Sequence, residues 1–330
     1  MKHALLLFFS AVALMAHAQT YHEVYPMGEQ PSIGMSNSYN TRETILFEAY
    51  PFVRFSFKND FVERIYNDDK KHMSGYYVYA KPQLRMFTSN SLPVRMPTYR
   101  VFLGTQHLFK LPKNDKPKER YYGFGFESGH YSNGQSGCAF STDFEDGSEE
   151  CLAVYNRLTP ESDLSALLNR EDGNFSTNLT KLTGYYQVNQ LRPDGNTKET
   201  HTFEASYTIY HNRFLWVGEF GGYSAEDIQL YGRHRLELYY AFTFFKKNET
   251  KQRIRLSERL FFIQGAHEHV NAIRSETQFT AFPFRKSPAF GFLVRLTTGH
   301  DNYNFRFVDS GTIVSGGITW DLFPPIDRVN

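Results

Sequence analysis

The sequence predicts an all-β protein, a transmembrane antiparallel β-barrel of twelve strands, and two observations carry that expectation. Aromatic residues make up 17% of the 330-residue chain, with 31 Phe and 22 Tyr, yet the mean hydropathy is −0.50. From about residue 44 onward, apolar and polar side chains alternate with a period of two. Alternation cancels in any hydropathy average, so such a chain can be hydrophilic overall and still present a continuous apolar surface along one side of its strands. No run after residue 20 approaches the roughly 18 apolar residues of a membrane-crossing helix, which excludes helical spans. Lys plus Arg number 36 against 35 Asp plus Glu, a balance that excludes a surface built to neutralise nucleic-acid phosphates.

The N-terminus points to export. Met1, Lys2 and His3 form a short basic start, residues 4–15 are apolar, and Ala16-His17-Ala18 has the small-x-small cleavage pattern before Gln19. Residues 1–18 are therefore expected to be a cleaved signal peptide; the other reading, a buried helix, suits poorly a run with no polar face. Residues 19–41 form an N-terminal segment with a possible first strand, residues 42–323 the barrel, and residues 324–330 a C-terminal tail. The two cysteines, Cys138 and Cys151, can be oxidised in an exported chain, or remain two unrelated thiols. A bridge across so short a loop contributes roughly 3 kcal/mol in the chain-entropy picture. With no CxxC pair, a cysteine-based zinc site is not expected.

The strands follow from parity. Val78, Ala80, Leu84 and Met86 alternate with Tyr77, Tyr79, Lys81, Gln83 and Arg85. Leu236, Leu238, Tyr240, Phe242 and Phe244 alternate with Arg233, Arg235, Glu237, Tyr239 and Thr243, and Ile254, Leu256, Leu260 and Phe262 with Arg253, Arg255, Ser257 and Arg259. A soluble sandwich also alternates, but rarely with one face so charged and the other so aromatic. The pattern gives strands at Thr44–Phe57, Tyr76–Phe87, Tyr99–Phe109, Tyr121–Ser132, Phe175–Val188, His201–Tyr210, Arg233–Phe245, Arg253–Phe262, Glu276–Phe284, Ala289–Thr298 and Thr312–Phe323. An even number closes a bacterial barrel with both termini on the periplasmic side, so Ser32 to Tyr39 is taken as the twelfth. Residues 133–174, 211–232 and 299–311 then become outer loops, and Lys246–Lys251 and Arg285–Pro288 short periplasmic turns.

Tyr121 to Ser132 carries the candidate chemistry. Its aromatic parity, Tyr122, Phe124 and Phe126, continues through Ser128 to His130 and Ser132, so a His and a Ser share the lipid-facing side two residues apart. That spacing lets an imidazole act as general base toward a serine nucleophile; the plainer reading is two polar rim residues beside a loop. A third group would orient the imidazole. Asn178 shares the apolar parity of Leu182, Tyr186 and Val188 on the next strand, which pairs back across the 133–174 loop.

The segment Glu127-Ser-Gly-His-Tyr-Ser-Asn-Gly-Gln135 resembles the His-x-Ser-Asn-Gly signature of the outer membrane phospholipase A family, twelve-stranded barrels that hydrolyse phospholipid esters. Gly299-His-Asp-Asn-Tyr-Asn-Phe305 and Gly316-Gly-Ile-Thr-Trp-Asp-Leu-Phe323 are similar to that family's last outer loop and last strand. The resemblance implies that His130 is the base, Ser132 the nucleophile and the Gly134 N–H an oxyanion donor. It implies a neutral Asn as third member, shortly after the serine, and here the chain departs from the family pattern. Tyr155-Asn156-Arg157 resembles the local sequence, whereas Ser176-Thr177-Asn178 keeps the Ser-x-Asn spacing on a strand. We take Asn178, because Asn156 lies in a stretch without alternation that reads as a loop helix.

The resemblance further implies a calcium cofactor (Ca2+), with Gln135 and Asn174 as carbonyl donors at the matching positions, and a homodimer formed on activation through the lipid-facing side. Asp143, Glu145 and Asp146 could also bind calcium or be solvated loop charges. The expected function is thus a calcium-dependent phospholipase A in the bacterial outer membrane, acting on phospholipid acyl esters by a Ser/His/Asn mechanism. The alternatives are a non-enzymatic barrel, porin or structural protein, on the same scaffold, and a secreted glycan-binding sandwich.

Overall fold

The computed structural model describes residues 30–61, 64, 71–88, 96–112, 117–193, 196–215, 217–219, 221–247 and 251–322. The expected signal peptide (1–18), Phe323 and the tail (324–330) lie outside them. In chain order the strands are β1 (Ser32–Tyr39), β2 (Ile45–Tyr50), β3 (Val53–Asn59), β4 (His72–Ala80), β5 (Leu84–Phe87), β6 (Tyr99–Lys110), β7 (Lys118–Ser132), β8 (Ser176–Leu191), β9 (Thr197–His211), β10 (Arg213–Phe214), β11 (Gly218–Glu219), β12 (Gly232–Phe245), β13 (Arg253–Ala266), β14 (Ile273–Phe282), β15 (Phe290–His300) and β16 (Ser310–Trp320). Fourteen of them form one antiparallel sheet, ordered β3-β4-β6-β7-β8-β9-β12-β13-β14-β15-β16-β1-β2-β5, and β10 pairs with β11 in a separate ribbon.

The sheet therefore has fourteen strands where the sequence predicts twelve, and proline is the reason. Pro51 falls inside the expected Thr44–Phe57 strand and Pro82 inside Tyr76–Phe87; a proline donates no N–H to the ladder, so each strand appears as two. The expected Ser32–Tyr39 strand is present as β1, paired with both β16 and β2.

Side-chain placement is the reverse of a water-soluble sheet. Phe124 and Leu182 are 50% and 54% exposed, whereas Arg85, Arg259 and Glu119 on the opposite parity are buried. Apolar outside and charged inside leaves no driving force for folding in water, and fits a sheet whose outer face meets hydrocarbon. The buried charges are paired: Lys181 and Arg259 both bond Glu237, and Arg85 bridges Glu48 and Asp301. Among the described residues, no helix is long and apolar enough to cross a membrane.

A conventional core sits at one end of the strands. Tyr131, Phe140, Phe175, Tyr210, Tyr231 and Phe307 pack together there, drawn from β7, β9 and the loops at that end. The loop after β7 carries helices α1 (Glu149–Tyr155) and α2 (Leu164–Leu167), and the loop after β9 carries α3 (Ala225–Tyr231). Cys138 and Cys151 are disulfide-bonded across the first of these loops. Ion pairs clamp it to its neighbours: Arg170 to Asp309 at 2.7 Å and to Glu43 at 3.4 Å.

Candidate active site

Strands β7 and β8 pair along their whole length, which places His130 opposite Asn178 and Ser132 opposite Ser176. These positions share the parity of Phe124, Phe126 and Leu182, the exposed apolar face. His130 Nδ1 and Asn178 Oδ1 are 3.0 Å apart. Asn178 also donates from Nδ2 to the carbonyl of Gly221 at 3.3 Å. With the amide nitrogen committed to a carbonyl, Oδ1 is the acceptor and His130 Nδ1 must be the protonated nitrogen. Nε2 then keeps its lone pair, as a general base requires. Ser132, half-buried and two residues along the same strand face, is the hydroxyl that the expected mechanism would activate.

Asn178 is fully buried even though its parity faces outward. The cover is the loop after β9. Gly221 sits at φ +58°, and a Cβ there would lie 2.7 Å from His130 Cε1 and 2.9 Å from Ser176 Oγ, so only glycine lets the backbone come this close. Asn156, the competing third member, is the exposed C-cap of α1. The structure thus brings His130 and Asn178 together and leaves Asn156 at a helix end.

A second histidine stands beside the pair. Arg213 donates its backbone N–H to His211 Nδ1 at 3.2 Å, which leaves His211 Nε2–H to donate to Thr180 Oγ1 at 3.0 Å. Thr180 and Ser128 hydroxyls are 3.2 Å apart, and Ser128 donates to the Leu179 carbonyl at 3.2 Å. This chain runs donor to acceptor into the backbone, so it satisfies polar groups on an apolar face and offers no base.

Gly134 follows the serine at φ +69°, a left-handed conformation that favours glycine. The turn is stapled by Asn133, which is fully buried. Asn133 donates to the Gly173 carbonyl at 2.7 Å and accepts from the N–H groups of Gln135 at 3.2 Å and Phe175 at 3.0 Å. Gly137 and Asn174 complete the join, with Asn174 N–H on the Gly137 carbonyl at 2.7 Å. Gln135 and Asn174 therefore flank one knot of backbone. Among the described residues neither of their carbonyls accepts a hydrogen bond, and Asn174 Nδ2 donates to Asp146 Oδ2 at 2.7 Å. Two uncommitted carbonyls with a carboxylate nearby are the hard oxygen donors that suit calcium. Asp143 and Glu145 are exposed on the same loop, and among the described residues no three His, Cys, Asp or Glu side chains are grouped as metal ligands.

Parity in the sequence put His130, Ser132 and Asn178 on one face, and the strand register has them there. It missed Gly221, Ser176 and Asn133, whose roles depend on loops folding back; the Gly221-Gly222 pair and the two polar residues flanking the strand ends were the available signals.

No protein-family model and no curated protein matches the chain. Among solved structures, outer membrane phospholipase A from Escherichia coli matches with a TM-score of 0.50 at 13% identity, over 94% of this chain and 98% of that one. A Salmonella typhi outer membrane phospholipase dimer with bound calcium gives 0.46 at 12% identity, over 89% and 92%. LpxR from Salmonella typhimurium gives 0.36 at 9% identity, over 88% and 99%. The likeness to the first is one of fold, that of an outer-membrane barrel.

Proposed function

We propose that this chain is an outer-membrane phospholipase that hydrolyses phospholipid acyl esters, of the A1/A2 and lysophospholipase type, through Ser132, His130 and Asn178. The observation that supports it is the His130 Nδ1 to Asn178 Oδ1 hydrogen bond on the apolar face. An orienting amide has no folding rationale at a site meant only for lipid contact, and an acyl chain can reach this face without entering the lumen. Ser132 Oγ attacks the ester carbonyl while His130 Nε2 takes its proton; the proton then goes to the departing alkoxide, releasing lysophospholipid and leaving an acyl-serine. Water, deprotonated by the same nitrogen, frees the fatty acid. The Gly134 N–H is the oxyanion donor. Calcium held by the Gln135 and Asn174 carbonyls would supply positive charge close to that oxyanion.

The reading includes a closed twelve-arm barrel. Ile45 pairs with Phe87 and Val53 with Ala80, so β2–β3 and β4–β5 are two arms of one hairpin, each broken by a proline. Lys81 N–H bonds Arg100 and Gln83 exchanges bonds with Thr98, carrying the ladder past Pro82. Read this way, the two ends of the strand order meet. Homodimerisation through the lipid-facing side comes from the family resemblance and is checked by cross-linking in micelles.

Charge pairing inside the sheet argues against the porin alternative. Two of the cavities among the described residues measure about 120 and 80 Å³ and are lined by Lys181, Glu127 and Arg side chains, with Glu237 between Lys181 and Arg259. The deciding experiment is fatty-acid release from phospholipid in mixed micelles, with and without chelator. Wild type with calcium should release fatty acid, while chelator or Ser132→Ala should stop it. Equal release by Ser132→Ala and wild type would sink the proposal.

A further inference from the structure

The turn joining β14 to β15 lies at the end of the strands away from the aromatic core. From this turn β15 runs from Phe290 to His300, whose ring centroid is 6.1 Å from that of Phe307 in the core. Four carbonyls of the turn accept hydrogen bonds from the rest of the protein. Pro283 accepts from the Gln252 amide, Ser287 from the Phe290 N–H at 3.1 Å, Pro288 from Arg253 at 2.9 Å and Ala289 from the Asp321 N–H at 2.7 Å. Its donors are left over. Among the described residues, the N–H groups of Arg285, Lys286 and Ser287 have no partner, and the exposed Arg285 and Lys286 side chains are in no ion pair. Asp321, the acid bonded to this turn, is already neutralised by Arg253, whose guanidinium lies over the Phe282 ring at 3.8 Å.

Beside these donors the lipid-facing side opens into a hollow of about 800 Å³, whose lining includes Phe284, Arg285, Lys286, Phe290 and Trp320. The Phe284 and Phe290 rings are 5.7 Å apart and those of Phe290 and Trp320 5.3 Å. Phe292 carries the row of rings onto the exposed apolar face. Exposed aromatics at the end of such a face suit the level where hydrocarbon gives way to headgroups.

We propose that this turn is a binding site for an anionic phospholipid. Arg285, Lys286 and the uncommitted N–H groups hold its phosphate, and its acyl chains lie on Phe284, Phe290 and Trp320. Cations alone would suit any dissolved phosphate, and rings alone any acyl chain. Their junction at the border of an apolar face is complementary to a molecule that has both parts. A zwitterionic headgroup brings its own ammonium, so it gains less from two cations; the site therefore prefers phosphatidylglycerol to phosphatidylcholine. Ser132 follows Tyr131 of the core at the opposite end of the strands, so this lipid is not the substrate of the proposed hydrolysis. The inference stands or falls apart from that reading.

The test uses the full chain with Trp216→Phe, which leaves Trp320 as its single tryptophan, and Ser132→Ala, so that no lipid is consumed. This parent protein is placed in phosphatidylcholine vesicles in which a minor fraction of the lipid, either phosphatidylglycerol or phosphatidylcholine, has brominated acyl chains. Bromine quenches tryptophan emission only from lipids beside the ring. Brominated phosphatidylglycerol should quench Trp320 about fivefold or more effectively, mole for mole, than brominated phosphatidylcholine. Arg285→Gln with Lys286→Gln should abolish that preference. Quenching by brominated phosphatidylcholine should stay at the parent level, which shows that the variant is inserted. Equal quenching by the two lipids in the parent overturns the proposal, as does a preference that survives the double substitution. If inorganic phosphate removes the preference and chloride at the same ionic strength does not, the ligand is a dissolved anion and the lipid assignment is overturned. Quenching that falls as the protein-to-lipid ratio rises would put a second copy of the chain on the hollow, which also overturns it.

Discussion

Asn178 Nδ2 donates to the Gly221 carbonyl at 3.3 Å, and that bond decides which end of the amide faces His130. An asparagine side chain can present either a donor or an acceptor. Only the acceptor sets the imidazole proton on Nδ1 and frees Nε2 as a base. The third member of this site is thus oriented from outside the strand pair, by a loop far along the chain.

Asn178→Ala should lower the rate of phospholipid hydrolysis by about tenfold to a hundredfold, since the base survives but loses its orienting partner. Asn156→Ala should leave the rate at wild type, because Asn156 caps α1 at the surface. Steady-state release of fatty acid from mixed micelles measures both. If Asn156→Ala abolishes hydrolysis and Asn178→Ala does not, the assignment is wrong.

Gly221→Ala places a methyl group 2.7 Å from His130 Cε1 at a backbone angle that disfavours alanine. The loop must retreat, and the Asn178 amide then loses its fixed orientation. The expected outcome is a kcat reduced about tenfold, with little change in KM, since the lipid-facing surface is untouched. An unchanged kcat would show that the amide needs no help from this carbonyl.

Parity located the candidate site because a strand's side chains alternate whatever its neighbours do, so His130, Ser132 and Asn178 could be put on one face without knowing the sheet. The bond between Cys138 and Cys151 was one of the two readings that the sequence left open, and parity had no bearing on it. The count of strands was not legible. Pro51 and Pro82 interrupt hydrogen bonding without interrupting the apolar pattern, so the pattern counts arms where the ladder counts strands. The β10–β11 ribbon, two residues on each side, is too short to show any period. The contact of Gly221 with His130 joins positions about ninety residues apart in sequence, and a single chain carries no signal at that range.

In planar bilayers the purified protein should give no steady porin-like conductance. Glu237 bonds both Lys181 and Arg259 across the lumen, and Arg235 lies over the Tyr210 ring. Opening a water path would require separating buried charges, which is costly in a dry interior. Large, stable single-channel steps from wild type would favour the porin alternative.

The stability of α3 should fall as pH rises. Burial pushes the Asp227 carboxyl up from 3.8 to about 6, and the charges of Asp146 and Glu226 push the same way, while hydrogen bonds from Ser224 in the capping box pull it down. A carboxyl whose pKa is higher in the folded state binds its proton more tightly there than in the unfolded chain. Its contribution is therefore complete below about pH 4, fades as pH climbs through about 6, and is lost above that. Hydrogen-exchange protection of the 225–231 amides, corrected for intrinsic rates, should be greater at the acidic end of that window than at neutral pH. Asp227→Asn keeps an oxygen to accept from the Ser224 N–H, now 3.0 Å away, but cannot ionise, so it should flatten the profile. A variant that retains the full pH dependence would place its source in another group. Because α3 starts at Ala225, shortly after Gly221, and packs its Leu230 and Tyr231 into the core at the strand ends, a looser helix at neutral pH would also loosen the backbone that holds Gly221 over His130.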